Sequence, residues 1–130
     1  MVLPRDPVIR TAPRLADLNL NGHIFGGWIL SQMDIAGGIT AARRARGPVA
    51  TVAIEAMKFH RPILPGDLVS IFAEVCHVGT TSLTIGLEVM VARRLEPEEL
   101  KVTEGRFIFV AVDEAGKKRP VPQLPEEASA

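Results

Sequence analysis

Ile24-Phe25-Gly26-Gly27-Trp28-Ile29-Leu30-Ser31-Gln32-Met33-Asp34-Ile35-Ala36-Gly37-Gly38-Ile39-Thr40-Ala41-Ala42 is the stretch whose reading decides the fold. Over residues 22–42 the only Asp, Glu, Lys or Arg is Asp34. Its length and its Leu, Met and Ala content predict a helix, apolar on most of its circumference. Arg43, Arg44 and Arg46 fall in the last turn, where cations complement the helix dipole, and Gly47-Pro48 ends the element. A helix apolar all round is either membrane-borne or centrally buried. Four glycines, Ser31-Gln32 and a mid-segment carboxylate make a poor membrane span. The helix is therefore expected at the centre of a fold, enclosed by the rest of the chain.

Downstream, the hydrophobic period switches from that of a helix to two. Residues 49–60, 67–78, 81–95 and 101–113 read as strands, and residues 8–12 as a short strand ahead of a 14–22 loop. Leu83, Ile85, Leu87, Val89 and Val91 alternate with Ser82, Thr84, Gly86, Glu88 and Met90, the pattern of a half-buried strand. Connections are short (61–66 with Pro-Gly, 79–80, 96–100), which predicts antiparallel neighbours. Phe107 to Val112 is apolar at every position, so both faces of that strand need cover. In so small a chain a second copy is the expected cover. From Pro120 onward the chain reads as an extended tail. The expected class is α+β, one long buried helix wrapped by an antiparallel sheet. The expected organisation is a single domain over residues 8–125, with tails at 1–7 and 126–130.

Composition removes other classes. With 130 residues, burial of about two-thirds of the unfolded surface is expected, enough for a core without a disulfide or structural metal. A composition 47% apolar and 23% charged argues against disorder and collagen-like repeats. Fifteen basic and fifteen acidic residues cancel, so no overall field draws nucleic acid or an anionic membrane. The single cysteine, Cys76, allows neither an internal disulfide nor a cysteine-based zinc site, and its place in a strand pattern predicts a packed thiol. No signal peptide is read at Met1, so a reducing cytoplasmic interior is expected.

Asp34 is the residue that asks for chemistry. An ionised, unpaired carboxylate inside an apolar helix costs several kcal/mol. It is either paired with an arginine or backbone donors, or a general base or nucleophile tuned by its surroundings. Gly26-Gly27, where loop becomes helix, permits a tight turn or the approach of a ligand to backbone N–H groups suited to an anion or a developing oxyanion. Gly26 and Asp34 lie eight residues apart, about 12 Å along a helix. One reacting carbonyl cannot touch both on one chain, so cooperation requires an antiparallel helix from a second subunit. His23, His60 and His77 lack metal-ligand spacing, and no metal site is expected. Ser31 and Ser82 have no Ser–His–Asp pattern around them, and no phosphate-loop or dinucleotide glycine motif is present. Lys58, Arg61, Arg93, Arg94, Lys117, Lys118 and Arg119 lie in or beside loops, and a few of them suit phosphate groups.

The run from Asn19-Leu20-Asn21-Gly22-His23 through Gly26-Gly27-Trp28 to Asp34 resembles the active-site segment of the hot-dog-fold acyl-CoA thioesterases, bacterial acyl-CoA hydrolase branch. The likeness continues in Thr51-Val52-Ala53, Met57-Lys58-Phe59, Arg61-Pro62, Pro65-Gly66-Asp67, Val78-Gly79-Thr80-Thr81-Ser82 and Phe107 to Asp113, then Pro120-Val121-Pro122. It spans nearly the whole chain.

That resemblance implies a hot-dog fold, a curved sheet enclosing a central helix, paired into a dimer and further into a hexamer as a trimer of dimers. It implies hydrolysis of acyl-CoA to a free acid and CoA, with no cofactor. By position, Asp34 matches the family's catalytic carboxylate, Asn19 its orienting amide, and Gly26, with Gly27, the N–H that polarises the thioester carbonyl. The family sets its carboxylate across the dimer from the amide and glycine. Arg61, Thr80, Thr81, Ser82, Lys118 and Arg119 are the expected contacts for the CoA moiety. Two departures stand out: Thr80 replaces a basic residue common in that turn, and His23 replaces an acidic one. A non-catalytic acyl-CoA sensor would lack Asn19 or Asp34, and both are present. A hot-dog hydratase or dehydratase would pair a catalytic His with a carboxylate, and the surroundings of His23 do not match one.

Overall fold

Ile29, Met33, Ala36, Gly37, Ala41 and Ala45 recur at spacings of three and four and form the buried face of helix α1 (Gly26–Ala45). The computed structural model describes residues 5–124; of the expected tails, residues 1–4 and 125–130 lie outside the described residues. The helix is framed by strands β1 (Ile9–Thr11), β2 (Val49–Phe59), β3 (Leu68–Val78), β4 (Ser82–Ala92) and β5 (Leu100–Ala111). They form one sheet in the order β1-β3-β4-β5-β2, and every pair is antiparallel. The architecture is the expected α+β one, and α1 packs on the face that carries Ile71, Leu83, Ile85, Leu87, Val89, Phe107 and Phe109. No helix among the described residues is long and apolar enough to cross a membrane.

The alternation read in β4 holds residue for residue: Leu83, Ile85, Leu87, Val89 and Val91 are buried and their neighbours are not. The helix reaches this sheet closely because Gly37 lacks a side chain. A Cβ there would sit 3.0 Å from the Phe109 ring and 3.4 Å from Leu87 Cδ1. Phe109 is itself fully enclosed and has nowhere to retreat. Gly37→Ala gains helix propensity of about 1 kcal/mol but overpacks the seam by about 1–3 kcal/mol. The expected net result is a melting temperature lower by a few degrees in calorimetry.

Several expectations are corrected. The short 61–66 link does not join neighbours: β3 pairs with β1 and β4, while β2 pairs with β5 at the far edge. Crossing two intervening strands covers about 14 Å, and a segment of eight residues reaches up to about 26 Å when extended, so length alone does not force adjacency. Cys76 is exposed rather than packed. With Val69 and Ile71 facing the core, period two puts Cys76 on the outer face of β3 with Glu74, beside Gly86. The 14–22 loop contains a single 3-10 turn, Leu15–Asp17, capped by Asp17 accepting from the Arg14 backbone N–H at 2.8 Å. Beyond Pro120 the chain is anchored: Val121 is buried and its N–H donates to Thr80 O at 2.8 Å.

The uncovered apolar surface also lies elsewhere than expected. On the outer side of β5, Val110 is only 8% exposed. Ile35 and Ile39 of α1, Phe25 before it, and Val52, Ile54 and Phe59 of β2 are among the exposed apolar side chains. The helix is thus buried on one face only, and its other face continues onto β2, whose second edge pairs with no strand among the described residues.

The outer face of the sheet carries a chain of charges. Lys101 Nζ lies 2.9 Å from Glu88 Oε2 and 3.2 Å from Glu104 Oε2, Arg5 Nη1 lies 2.7 Å from Glu88 Oε1, and His60 Nε2 lies 3.4 Å from Glu104 Oε1. The hydrogen bonds from Lys101 hold both glutamates below the ordinary carboxylate range, and the bond to Glu88 raises the Lys101 ammonium. Carboxylates lowered on folding contribute stability that is complete above about pH 4.3 and lost as pH falls through their folded values. A raised lysine contributes stability that is complete below about pH 10.4 and lost as pH rises through its folded value. The melting temperature is expected to be flat between these limits and to fall outside them. In Lys101→Met the acid-side fall between pH 5 and pH 3 should be shallower, a comparison that thermal melts across buffers can make.

Candidate active site

Helix α1 begins at Gly26 with Phe25 as N-cap, and Phe25 has no side-chain oxygen to accept from the first turn. The leading N–H groups of a helix have no intrahelical partner, so Gly26 and Gly27 present theirs outward. Both glycines are exposed, and a Cβ built on either meets nothing within 4 Å. No acidic residue sits in the first turn to neutralise the positive end of the dipole. The site is thus an open, donor-lined helix N-terminus suited to an oxyanion.

The loop ahead of it is held by Asn19. Its Oδ1 accepts from the backbone N–H of Asn21 at 2.8 Å and of His23 at 3.1 Å, and its own N–H donates to His23 O at 2.6 Å. With Oδ1 engaged, the Nδ2 hydrogens are what Asn19 offers a ligand. Ile24 N–H donates to Ile63 O at 3.0 Å and Phe25 N–H to Asp17 O at 2.9 Å, which fixes the entry into the helix. His23 is half-buried in this loop, beside Asn19 in the hydrogen-bond pattern.

Asp34 lies two turns further along α1 and, within one chain, is exposed rather than buried. Its Oδ1 accepts from the Thr51 hydroxyl of β2 at 2.6 Å. That short bond is charge-assisted and fixes the carboxylate's orientation through Oδ1. Sequence alone gives Thr51 no role, because a helix-to-strand pairing seventeen residues apart has no local signature. The helix separates Asp34 from Gly26 by about 12 Å, so one chain does not bring them together. Asp34 and the exposed Ile35, Ile39, Val52 and Ile54 share the same open region of α1 and β2.

The expected CoA contacts divide between opposite ends of the sheet. Arg61 lies at the Gly26 end, where its N–H donates to Val102 O and its Nη1 to Lys101 O. Thr80, Thr81 and Ser82 form the β3–β4 turn at the other end, where Thr81 O accepts from Ala111 N–H. Nine residues of β5 between those anchors amount to about 30 Å. Thr80 lines a groove of about 850 Å³ with Arg44, Gly79, Pro120 and Val121. Lys118 is exposed in the neighbouring hairpin, opposite Val112. Arg119 is otherwise engaged: its Nε donates to Val112 O at 2.8 Å, Nη1 to Ala45 O at 3.0 Å and Nη2 to Pro48 O at 3.3 Å. It closes the helix C-terminus onto the ends of β2 and β5.

The thioesterase superfamily profile matches residues 21–98, which run from the Asn19 loop through the β4–β5 connection. The chain belongs to the thioesterase superfamily. Among relatives of this superfamily member, the acyl-CoA thioester hydrolase YciA of Salmonella typhimurium is 50% identical over 118 residues, covering 88% of this chain and 89% of that protein. YciA of Escherichia coli K12 is 48% identical over 120 residues, covering 90% and 91%. Among solved structures, a hexameric thioesterase from Yersinia pestis superposes with a TM-score of 0.87 at 44% identity, covering 94% of this chain and 100% of that one. A hexameric hotdog fold thioesterase of Campylobacter jejuni gives 0.86 at 34% identity, covering 91% of each. The fold is the hot-dog fold.

Proposed function

We propose that this chain hydrolyses acyl-CoA thioesters to a carboxylic acid and CoA, at a site assembled from two copies of the chain. The observation that carries this reading is a single helix with bare N–H donors at Gly26 and Gly27 and a carboxylate at Asp34, too far apart to serve one carbonyl within one chain. The names of its relatives support it: acyl-CoA thioester hydrolases by sequence and hexameric thioesterases by structure.

In this reading the thioester oxygen sits against the Gly26 N–H, with Gly27 beside it, and takes up negative charge as the carbonyl is attacked. The Asp34 carboxylate of the partner either withdraws a proton from the attacking water or attacks the carbonyl itself. The Thr51 hydroxyl occupies Oδ1 and leaves Oδ2 as the reactive oxygen. Asn19 orients the water or the carbonyl through Nδ2. The thiolate leaves readily, so the chemistry asks for no further electrophile.

Pairing through the exposed apolar face of α1 and β2 brings the two helices antiparallel, and a trimer of such dimers is the proposed assembly. The turn at Thr80, Thr81 and Ser82, with Lys118, is the proposed seat of the CoA phosphates, Thr80 contributing a hydroxyl in place of a charge. Arg61 stands at the Gly26 end of the same assembly. A cytoplasmic location is proposed, supported by the CoA substrate. The test is release of free thiol from a panel of acyl-CoAs, short to long, by the purified chain. Turnover is expected for several members of the panel. Silence across it with retained acyl-CoA binding would favour the sensor reading.

A further inference from the structure

Between β2 and β5 the register slips twice, between Thr51 and Ala53 and again between Glu55 and Lys58. Ile54 faces Phe107 and Glu55 faces Arg106, but the next pair is Lys58 with Glu104. Ala56 and Met57 therefore stand together against Gly105, two residues opposite one. Ala56 adopts a φ of 55°, a left-handed conformation that is unfavourable for an L-residue with a side chain. The consequence is visible in burial: β2 is exposed from residue 50 to 56, and Met57 turns in to become half-buried. A Cβ on Gly105 would run into the Met57 sulfur and lie 3.6 Å from Met33 Cε. Gly105 is not among the residues with positive φ, so its missing side chain serves space rather than backbone. The inward face of β5 there runs Thr103, Gly105, Phe107, opposite Val89, Leu87 and Ile85. Thr103 Oγ1 on that face is buried with no partner among the described residues. A strained bulge, a glycine kept for room, a flexible thioether in that room and an orphaned hydroxyl thus converge on one spot between α1 and β2.

Those two elements also hold the carboxylate: Met33 immediately precedes Asp34, and Asp34 is bonded to Thr51 of β2. We propose that the space over Gly105 receives the far end of the acyl chain, that Met57 yields it by swinging its thioether aside, and that Met57 and Gly105 together set the acyl length the enzyme accepts. Methionine suits the task because its unbranched side chain repacks easily. The proposal rests on the hydrolase reading and names a specificity determinant for it. Met57 is no catalytic residue; it touches only the tail.

The experiment measures kcat/KM for wild type and variants over saturated acyl-CoAs from acetyl to palmitoyl. Met57→Ala removes roughly three heavy atoms and should raise the long-to-short ratio by about tenfold or more, chiefly through KM. Gly105→Ala and Met57→Phe fill the space and should lower that ratio by a similar factor. Gly105 lies in a central strand, so Met57→Phe on the edge strand keeps the narrowing arm if Gly105→Ala fails to fold. With an active wild type, a uniform change at every chain length or an unchanged profile in the variants overturns the gate alone. A wild type silent on every acyl-CoA overturns the hydrolase reading and the gate with it.

Discussion

Asp34→Asn is expected to lower thioester turnover by about 10²–10⁴-fold, the span associated with loss of a positioned general base. The substitution keeps size and shape, and the Thr51 hydroxyl can still donate to the remaining oxygen. Melting temperature and oligomeric state should therefore stay near those of wild type. Gly26→Pro is the matching change at the other end of the helix. Gly26 is the first helical residue, where proline is tolerated. Phe25 before it has φ −53° and ψ 136°, the extended conformation that a following proline demands. Only the N–H is lost, and about 10²–10³-fold of turnover should go with it. Mixing the two inactive proteins under conditions that exchange subunits gives a sharper result. If each site takes its carboxylate from one chain and its N–H from another, about a quarter of sites regain both groups. If each site belongs to one chain, no site does. Near-wild-type turnover in Asp34→Asn would remove Asp34 from the mechanism.

The second large effect is structural. Asp67 is 3% exposed, and its carboxylate lies 3.2 Å from Arg93 Nε while accepting from Leu64 N–H at 2.8 Å. Arg93 Nη2 also donates to Pro62 O at 2.6 Å. These bonds gather the crossover from β2 to β3 over the end of the β4–β5 hairpin, and Ile63 of that crossover is fully buried beneath the helix entry. Removing Asp67 leaves the Leu64 N–H without its acceptor and the partly exposed Arg93 without its counter-charge, a loss of about 2–3 kcal/mol. Asp67→Ala should thus melt about 6–12 °C lower. Asp67→Asn with Arg93→Met, which removes both charges, should recover much of that loss. A melting temperature for Asp67→Ala within a degree or two of wild type would contradict this account.

Elements whose environment repeats along the chain were legible before the structure. The alternation of β4 reports a flat, centrally placed strand, and Asp34 stands out as the lone charge in an apolar run. The features that were not legible depend on irregularity or on distance. The bulge at Ala56 turns Met57 inward at the end of a run exposed from residue 50 to 56, which periodicity does not show. The position of β2 at the sheet edge arises from a crossover whose length suggested adjacency. Thr51 with Asp34 and Arg93 with Asp67 are pairings of side chains far apart in sequence. Arg119 reads as a surface cation until three backbone carbonyls are seen around it. Of the proposed site, the helix N-terminus and the carboxylate were legible; the hydroxyl that orients the carboxylate was not.

The placement of β2 has a further consequence for how the chain is made. Its only strand partner among the described residues, β5, ends at Ala111, so ribosomal synthesis must proceed about fifty residues past Phe59 before that partner exists. At roughly 5–20 residues per second this is an interval of about 3–10 s. Throughout it the segment carrying Val52, Ile54 and Phe59 has no β5 to pair with. Glu55 and Lys58 interrupt that apolar run, charges that discourage edge-to-edge pairing with another nascent chain. The same charges that face Arg106 and Glu104 in the finished protein thus also protect β2 while its partner is still being translated.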